Sequence, residues 1–279
     1  MYKIVIPLIV LPLLLVACGI RDPDRIGFLK MTSQEMFPED RRLRDVATAA
    51  SKGDVEKIDK IIAKGLDVNT RGKKGLPAAF WVLYNPNKEG FKCLLGHGAN
   101  PNIPLKYTFW GKKYYTSIIH EASGMSVDVD YLKLILDIGS GNPNLQLPDS
   151  GERPIERSVY PGEEQSFALL YNAGAEIDFE GKYGTLLDRA FAASNYELGF
   201  FLLQKGVGFI KNGKWGQEAA SDYIMMAIKL ETSALSDPWF WRCVDHYESQ
   251  GVIFDIQSKI KRQKNLGSSR PKIERLIHK

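Results

Sequence analysis

The chain has 279 residues, 44% apolar, 25% charged and 11% aromatic, with a formal net charge of +4 at pH 7. These are globular proportions and exclude wholesale disorder, collagen or coiled coil as the main architecture. Three cysteines are too few for a disulfide framework, four scattered histidines argue against a multi-ligand metal site, and so small a net charge does not point to nucleic acid. The charge is uneven: 256–279 is +7, with Glu274 as its single acid, Lys3 adds one, and 19–255 is therefore −4.

At the N-terminus, Lys3 precedes a thirteen-residue apolar run from Ile4 to Val16. That is short of the roughly 20 residues of a membrane span and suits the core of an export signal. The run ends in Leu15-Val16-Ala17-Cys18, which resembles the lipobox of bacterial lipoproteins. The resemblance implies removal of 1–17 and diacylglycerol on Cys18, an anchor of more than one acyl chain that holds to a membrane. Gly19 and Ile20 follow where Asp would signal inner-membrane retention, so the resemblance implies an outer-membrane, periplasm-facing lipoprotein. The alternative is an ordinary secretory signal with an unrelated cysteine. Residues 18–38, with Pro23, Gly27 and Pro38, read as a tether.

Helical spacing then predicts segments at 40–51, 55–64, 77–83, 88–96, 117–124, 129–138, 154–159, 163–172, 185–193, 196–204, 216–230 and 238–250. One phrase recurs among them: an apolar pair, two residues, Gly-small, then Asn or Asp. It reads Ile61-Ile62…Gly65-Leu66-Asp67-Val68-Asn69 and Leu94-Leu95…Gly98-Ala99-Asn100-Pro101-Asn102. It returns as Ile135-Leu136…Gly139 with Gly141-Asn142-Pro143-Asn144 after a slip, as Leu169-Leu170…Gly174-Ala175, and more weakly near Gly206 and Gly251. The marker glycines are 33, 41, 35, 32 and 45 residues apart.

That period, with worn helix starts at Ser117-Ile118-Ile119-His120-Glu121-Ala122 and Thr185-Leu186-Leu187-Asp188-Arg189-Ala190, resembles the ankyrin repeat. The resemblance implies an all-α solenoid of about six repeats over 39–255, with hairpin-like fingers and a divergent capping repeat. It also gives His120 a structural hydrogen-bonding role. Trp239, Phe240 and Trp241 are expected in the core of the last unit.

No nucleophile elbow, phosphate loop or zinc-spaced cluster is found, so no catalytic residue, cofactor or metal ligand is assigned. Cys93 and Cys243 are expected as unpaired, mostly buried thiols, and His97 as exposed beside its helix-ending glycine. One segment stands out at 99–117: Tyr107, Phe109, Trp110, Tyr114 and Tyr115 beside Lys112 and Lys113. Tyr and Trp dominate binding hot spots, which makes this finger a candidate protein-binding surface. The competing reading is a β-hairpin whose aromatics pack inward. The basic tail could meet lipid or lipopolysaccharide phosphates, but a solvated end is the expectation.

Ankyrin stacks bind proteins, and small ankyrin lipoproteins of this kind resemble immunity proteins paired with type VI secretion phospholipase effectors. That resemblance implies a non-enzymatic periplasmic inhibitor, lipid-anchored, whose partner is a secreted lipase and which takes no nucleic acid. The alternative is a constitutive periplasmic scaffold for envelope or oxidative-stress proteins.

Overall fold

The computed structural model describes residues 31–72, 75–109, 112–124, 127–207, 217–256, 260, 262 and 270–277. They are mostly helical, with twelve α-helices among the described residues. Every helical segment expected from spacing coincides with an observed one to within two residues. The chain divides into two compact units, Met1–Ala99 with Leu105–Tyr114, and Asn100–Pro104 with Tyr115–Lys279.

In the first unit, α1 (Ser33–Met36) opens on a capping box: Thr32 Oγ1 accepts from Glu35 N–H, and Glu35 Oε2 accepts from Thr32 N–H. Met36 and Phe37 are only 1% exposed, and Trp81 Nε1 donates to the Met31 carbonyl at 2.9 Å. The expected tether over 18–38 therefore gives way to packed chain by residue 31. α2 (Arg41–Lys52) starts on Asp40, whose carboxylate accepts from the Arg42 and Leu43 N–H groups. It buries Leu43, Val46, Ala47 and Ala50 on one face.

α3 (Val55–Ile62) starts on Asp54, α4 (Ala78–Tyr84) buries Ala78 through Leu83, and α5 (Lys88–Gly96) starts on Asn87. All three pack on α2. At Gly90 the backbones of α5 and α2 meet so closely that a Cβ would lie 1.9 Å from the Ala50 carbonyl oxygen. β1 (Leu105–Phe109) pairs with β2 (Lys112–Thr116) in a two-stranded sheet.

The second unit runs through α6 (Ile118–Ala122), α7 (Val129–Asp137), a 3₁₀ turn at Pro154–Ser158, and α8 (Glu164–Asn172). A short antiparallel pair, β3 (Glu180–Gly181) and β4 (Gly184–Thr185), leads into α9 (Leu186–Ala192) and α10 (Tyr196–Gln204). α11 (Gln217–Lys229), a 3₁₀ turn at Ser233–Ser236, α12 (Pro238–Ser249) and a last 3₁₀ turn at Lys272–Arg275 follow. The segment expected as a helix at 154–159 is a 3₁₀ turn over Pro154–Ser158; α geometry is disfavoured at Tyr160 before Pro161, and Gly162 then turns away with φ +99°. Phe240 and Trp241 are fully buried, whereas Trp239 is half-buried with the Arg242 guanidinium 5.2 Å from its ring centre.

The marker glycines 65, 98, 174, 206 and 251 all adopt positive φ, as a helix-ending turn requires. Gly139 does not; Ser140 takes that conformation instead, with φ 52°. This one-residue displacement is the slip seen in the third phrase. Beyond these turns, asparagines bridge neighbouring loops. Asn102 Nδ2 donates to the Ser140 carbonyl at 3.0 Å while its Oδ1 accepts from Asn142 N–H at 2.8 Å. Asn144 does the same with the Gly174 carbonyl and Glu176 N–H, at 2.9 and 2.8 Å. In the first unit Asn69 Nδ2 donates to the Gly98 carbonyl at 3.0 Å.

The solvated basic end expected from composition is corrected for residues 270–277. Ile273 is 1% exposed and lines a small cavity with Ser158, Phe167, Asn195 and Leu198. Lys272 N–H donates to Glu197 Oε1 at 2.6 Å, and Asn172 Nδ2 donates to the Leu276 carbonyl at 3.4 Å. Arg262 pairs with Asp245 and Glu248. Apolar burial fastens this segment, and the body's own carboxylates engage part of its charge.

Gly90→Ala is expected to destabilise the protein by about 1–3 kcal/mol or more, because backbone rather than a movable side chain opposes the new methyl. Gly96→Ala, with nothing within 4 Å of its Cβ, is expected to be neutral or to stabilise by up to about 1 kcal/mol. Urea unfolding of the two variants beside wild type checks both signs.

Candidate functional site

The hairpin singled out as a partner surface is formed in the backbone. Tyr107 and Phe109 lie on β1, and Lys112, Lys113, Tyr114 and Tyr115 on β2. Trp110 lies outside the described residues, as does Cys18. Leu105 is 1% exposed, whereas Lys106 and Lys113 are exposed. Tyr115 is half-buried, and its N–H donates to Asp149 Oδ2 at 3.4 Å.

The second unit carries a buried charge network that sequence reasoning missed. Arg157 Nη1 donates to Glu121 Oε1 at 2.8 Å, and its Nη2 pairs with Glu152 Oε2 at 3.2 Å. Arg189 reaches Glu156 Oε1 at 2.9 Å and Glu152 Oε1 at 3.4 Å. Thr116 Oγ1 donates to Glu121 Oε1 at 2.7 Å, and the Arg153 N–H donates to Glu156 Oε2 at 2.6 Å. The Glu121 and Glu156 side chains are only 6% and 2% exposed, so these contacts replace water almost completely.

Three carboxylates share two guanidinium groups, and the acidities of Glu152 and Glu156 diverge. Burial opposes the charge of Glu152, but Arg157 and Arg189 together hold its carboxyl below the usual range. At Glu156 burial outweighs Arg189 and pushes the carboxyl up. Both oxygens of Glu152 and Glu156, and Oε1 of Glu121, are engaged by donors within the unit, so the network organises structure.

His120 sits beside the network, fully buried. Its Nδ1 shares a hydrogen bond with Ser117 Oγ at 2.7 Å, and its Nε2 with the Glu152 carbonyl at 2.9 Å. Burial, with the Arg157 charge nearby, lowers its pKa to about 4. It is neutral at pH 7 and makes the structural contacts its sequence position implied.

A second cluster lies in the first unit. Asp59 on α3 and Cys93 and His97 on and just after α5 bring their side-chain atoms within 4.8 Å of one another. Asp59 Oδ1 and His97 Nε2 are 2.6 Å apart, and Cys93 Sγ is 3.5 Å from the same oxygen. The hydrogen bond from His97 lowers the Asp59 pKa. Burial and the adjacent carboxylate push the Cys93 thiol up to about 11, the opposite of a nucleophilic thiolate. Both thiols are free: Cys243 is buried as expected, but Cys93 is only half-buried. Cys93 and His97, four apart in sequence and so on one helical face, were a legible signal; Asp59, thirty-four residues before the cysteine, was not.

The network generates a pH prediction. His120 has a folded pKa near 4 against about 6.5 unfolded, so between those values the unfolded state binds more protons and stability falls as pH is lowered. The full effect is on the order of 3 kcal/mol. Glu156 and Asp188, whose carboxyls are raised, work in the opposite sense, so the His120 share is isolated as the difference between wild type and His120→Gln. Urea midpoints from pH 7 to pH 4 should show the variant losing the steeper part of the slope. Arg157→Met should cost about 3–5 kcal/mol at pH 7 by leaving buried Glu121 without its guanidinium and Glu152 with Arg189 alone.

Compared with known proteins, the chain matches no family model and no curated sequence.

Proposed function

We propose that the chain is a periplasm-facing outer-membrane lipoprotein, anchored through Cys18, whose ankyrin-type helix pairs present a surface that binds and blocks a secreted phospholipase. On this reading it is an immunity protein against a type VI secretion effector and has no catalytic activity of its own. The observation that carries the repeat reading is the recurring loop contact. Asn102 and Asn144 each donate to a turn carbonyl further along the chain, 38 and 30 residues on, and accept from a backbone N–H two residues beyond that turn. Such contacts couple one helix pair to the next, as a stack of small units requires. Helix-ending turns at residues 65, 98, 140, 174 and 206 give the same spacing.

Several features support binding rather than catalysis. The buried titratable groups of the Arg157–Arg189 network are engaged with each other. The hairpin carries aromatic and lysine residues at 107–115, a composition suited to a hot spot. In the mechanism, the hairpin and adjoining loops cover the mouth of the lipase active site, and a lipid anchor keeps the inhibitor beside the membrane its target attacks.

The test is a pull-down of the unlipidated 19–279 form against the product of an adjacent lipase gene, followed by a phospholipase assay. Stoichiometric capture with loss of lipase activity is expected. Trp110→Ala or Tyr114→Ala should weaken binding by about 2 kcal/mol, roughly thirtyfold. Unchanged affinity in both would move the interface off the hairpin, and capture of a resident envelope protein with no lipase effect would favour the scaffold reading. Cys18→Ser should abolish incorporation of labelled fatty acid and release the chain from membranes; retained labelling would overturn the anchor.

A further inference from the structure

The cluster of Asp59, Cys93 and His97 is absorbed neither by the fold nor by the proposed binding role. It draws on two helices, α3 and α5, that pack against each other within the first unit. Asp59 and His97 are exposed and Cys93 is half-buried, so the group is open to a small solute from water. Among the described residues it is the one set of three side chains with metal-ligating atoms gathered at this spacing.

We propose that Asp59 Oδ1, Cys93 Sγ and His97 Nε2 form a zinc-binding site with three protein ligands and an open fourth position. Tetrahedral zinc holds pairs of O, N and S ligands about 3.3–3.7 Å apart. The Asp59–Cys93 separation of 3.5 Å already meets this, and the Asp59–His97 pair, now at hydrogen-bond distance, has to open by less than an ångström. The ligand set is one of borderline softness, which suits zinc rather than calcium or magnesium.

Charge balances as well, because a dication meets one carboxylate, one thiolate and a neutral imidazole. On binding, the Cys93 S–H bond breaks and its proton goes to solvent as the zinc–sulfur bond forms. The Nε2 proton that His97 gives to the Asp59 hydrogen bond moves through solvent to Nδ1, so the neutral ring binds through the freed Nε2 lone pair and shared coordination replaces the hydrogen bond. No oxidant or reductant is involved. The open position takes water, or a side chain from a bound protein. The ligands lie on α3 and at α5, outside the hairpin, and the site stands or falls apart from the lipase reading.

Cobalt(II) titration tests it, with the full chain carrying Cys18→Ser in detergent, so that Cys93 and Cys243 are the remaining thiols. One equivalent of Co²⁺ should produce a thiolate-to-cobalt charge-transfer band and the visible bands of a tetrahedral ion, both removed by one equivalent of Zn²⁺. One proton per metal should be released, read from the buffer dependence of the binding heat. Cys93→Ser should erase the charge-transfer band, and Asp59→Asn or His97→Ala, both at exposed positions, should weaken zinc binding about 100-fold or more. No band at about tenfold excess cobalt, or a band that survives Cys93→Ser, would overturn the site.

Discussion

Arg157 and Arg189 stand between three carboxylates that the second unit takes out of water, and the placement of its central elements follows from that pairing. Removing an ion from water costs several kcal/mol, and the cost is met only when every charge has a partner with good geometry. Here the partners come from separate pieces of chain: Thr116 on β2, Glu121 on α6, Glu152 in a loop, Glu156 and Arg157 on the 3₁₀ turn, and Arg189 on α9. None of these can shift without stranding a charge. The 3₁₀ turn, too short to be held by its own hydrogen bonds, is fixed from outside by Arg189, which also donates to the Glu156 carbonyl at 3.2 Å. His120, neutral and bonded at both nitrogens, ties α6 to the loop that delivers Glu152.

Helix positions were legible because each depends on local chemistry. Asp40, Asp54, Asn87 and Asn195 accept from the first free N–H groups of their helices, and glycines able to take positive φ end them. Even the irregular third phrase is local, with Ser140 doing what Gly139 would have done. The charge network was illegible for the opposite reason. Glu121, Glu152, Glu156, Arg157 and Arg189 carry no local signal of burial, since hydrophobic periodicity scores charged residues as exposed. Only three-dimensional proximity across more than sixty residues shows that they satisfy each other. The same holds for the cluster in the first unit, of which spacing reveals Cys93 with His97 but not Asp59.

The C-terminal segment shows how composition can mislead about placement. Eight basic residues suggest a chain end kept in water. Yet Ile273 and Ile277, four apart, are both buried, and Lys272 pairs with Glu197 at 3.7 Å. The acidic body and basic tail inferred from charge counting are therefore not separate objects. Arg262 returns to Asp245 and Glu248, with its guanidinium 5.6 Å from the Trp241 ring centre. A simple electrostatic attraction between an acidic body and a basic partner loses force as an explanation of binding, because part of the acidity is already neutralised from within.

That narrows what a binding surface here can depend on. The charged groups of the Arg157–Arg189 network are committed to one another, so in the proposed role affinity is best drawn from other side chains held on rigid supports, where little ordering entropy is lost on association. A hairpin fits this requirement: its backbone is paired, Leu105 is buried, and Tyr115 N–H reaches Asp149. α11 offers a different surface, with Met226 and Leu230 at its end more than half exposed. Those side chains are flexible, and α11 itself carries a single aromatic, Tyr223, which lowers the specificity they can carry. Within the proposed binding role, the hairpin is favoured over α11 because strand pairing orders its backbone.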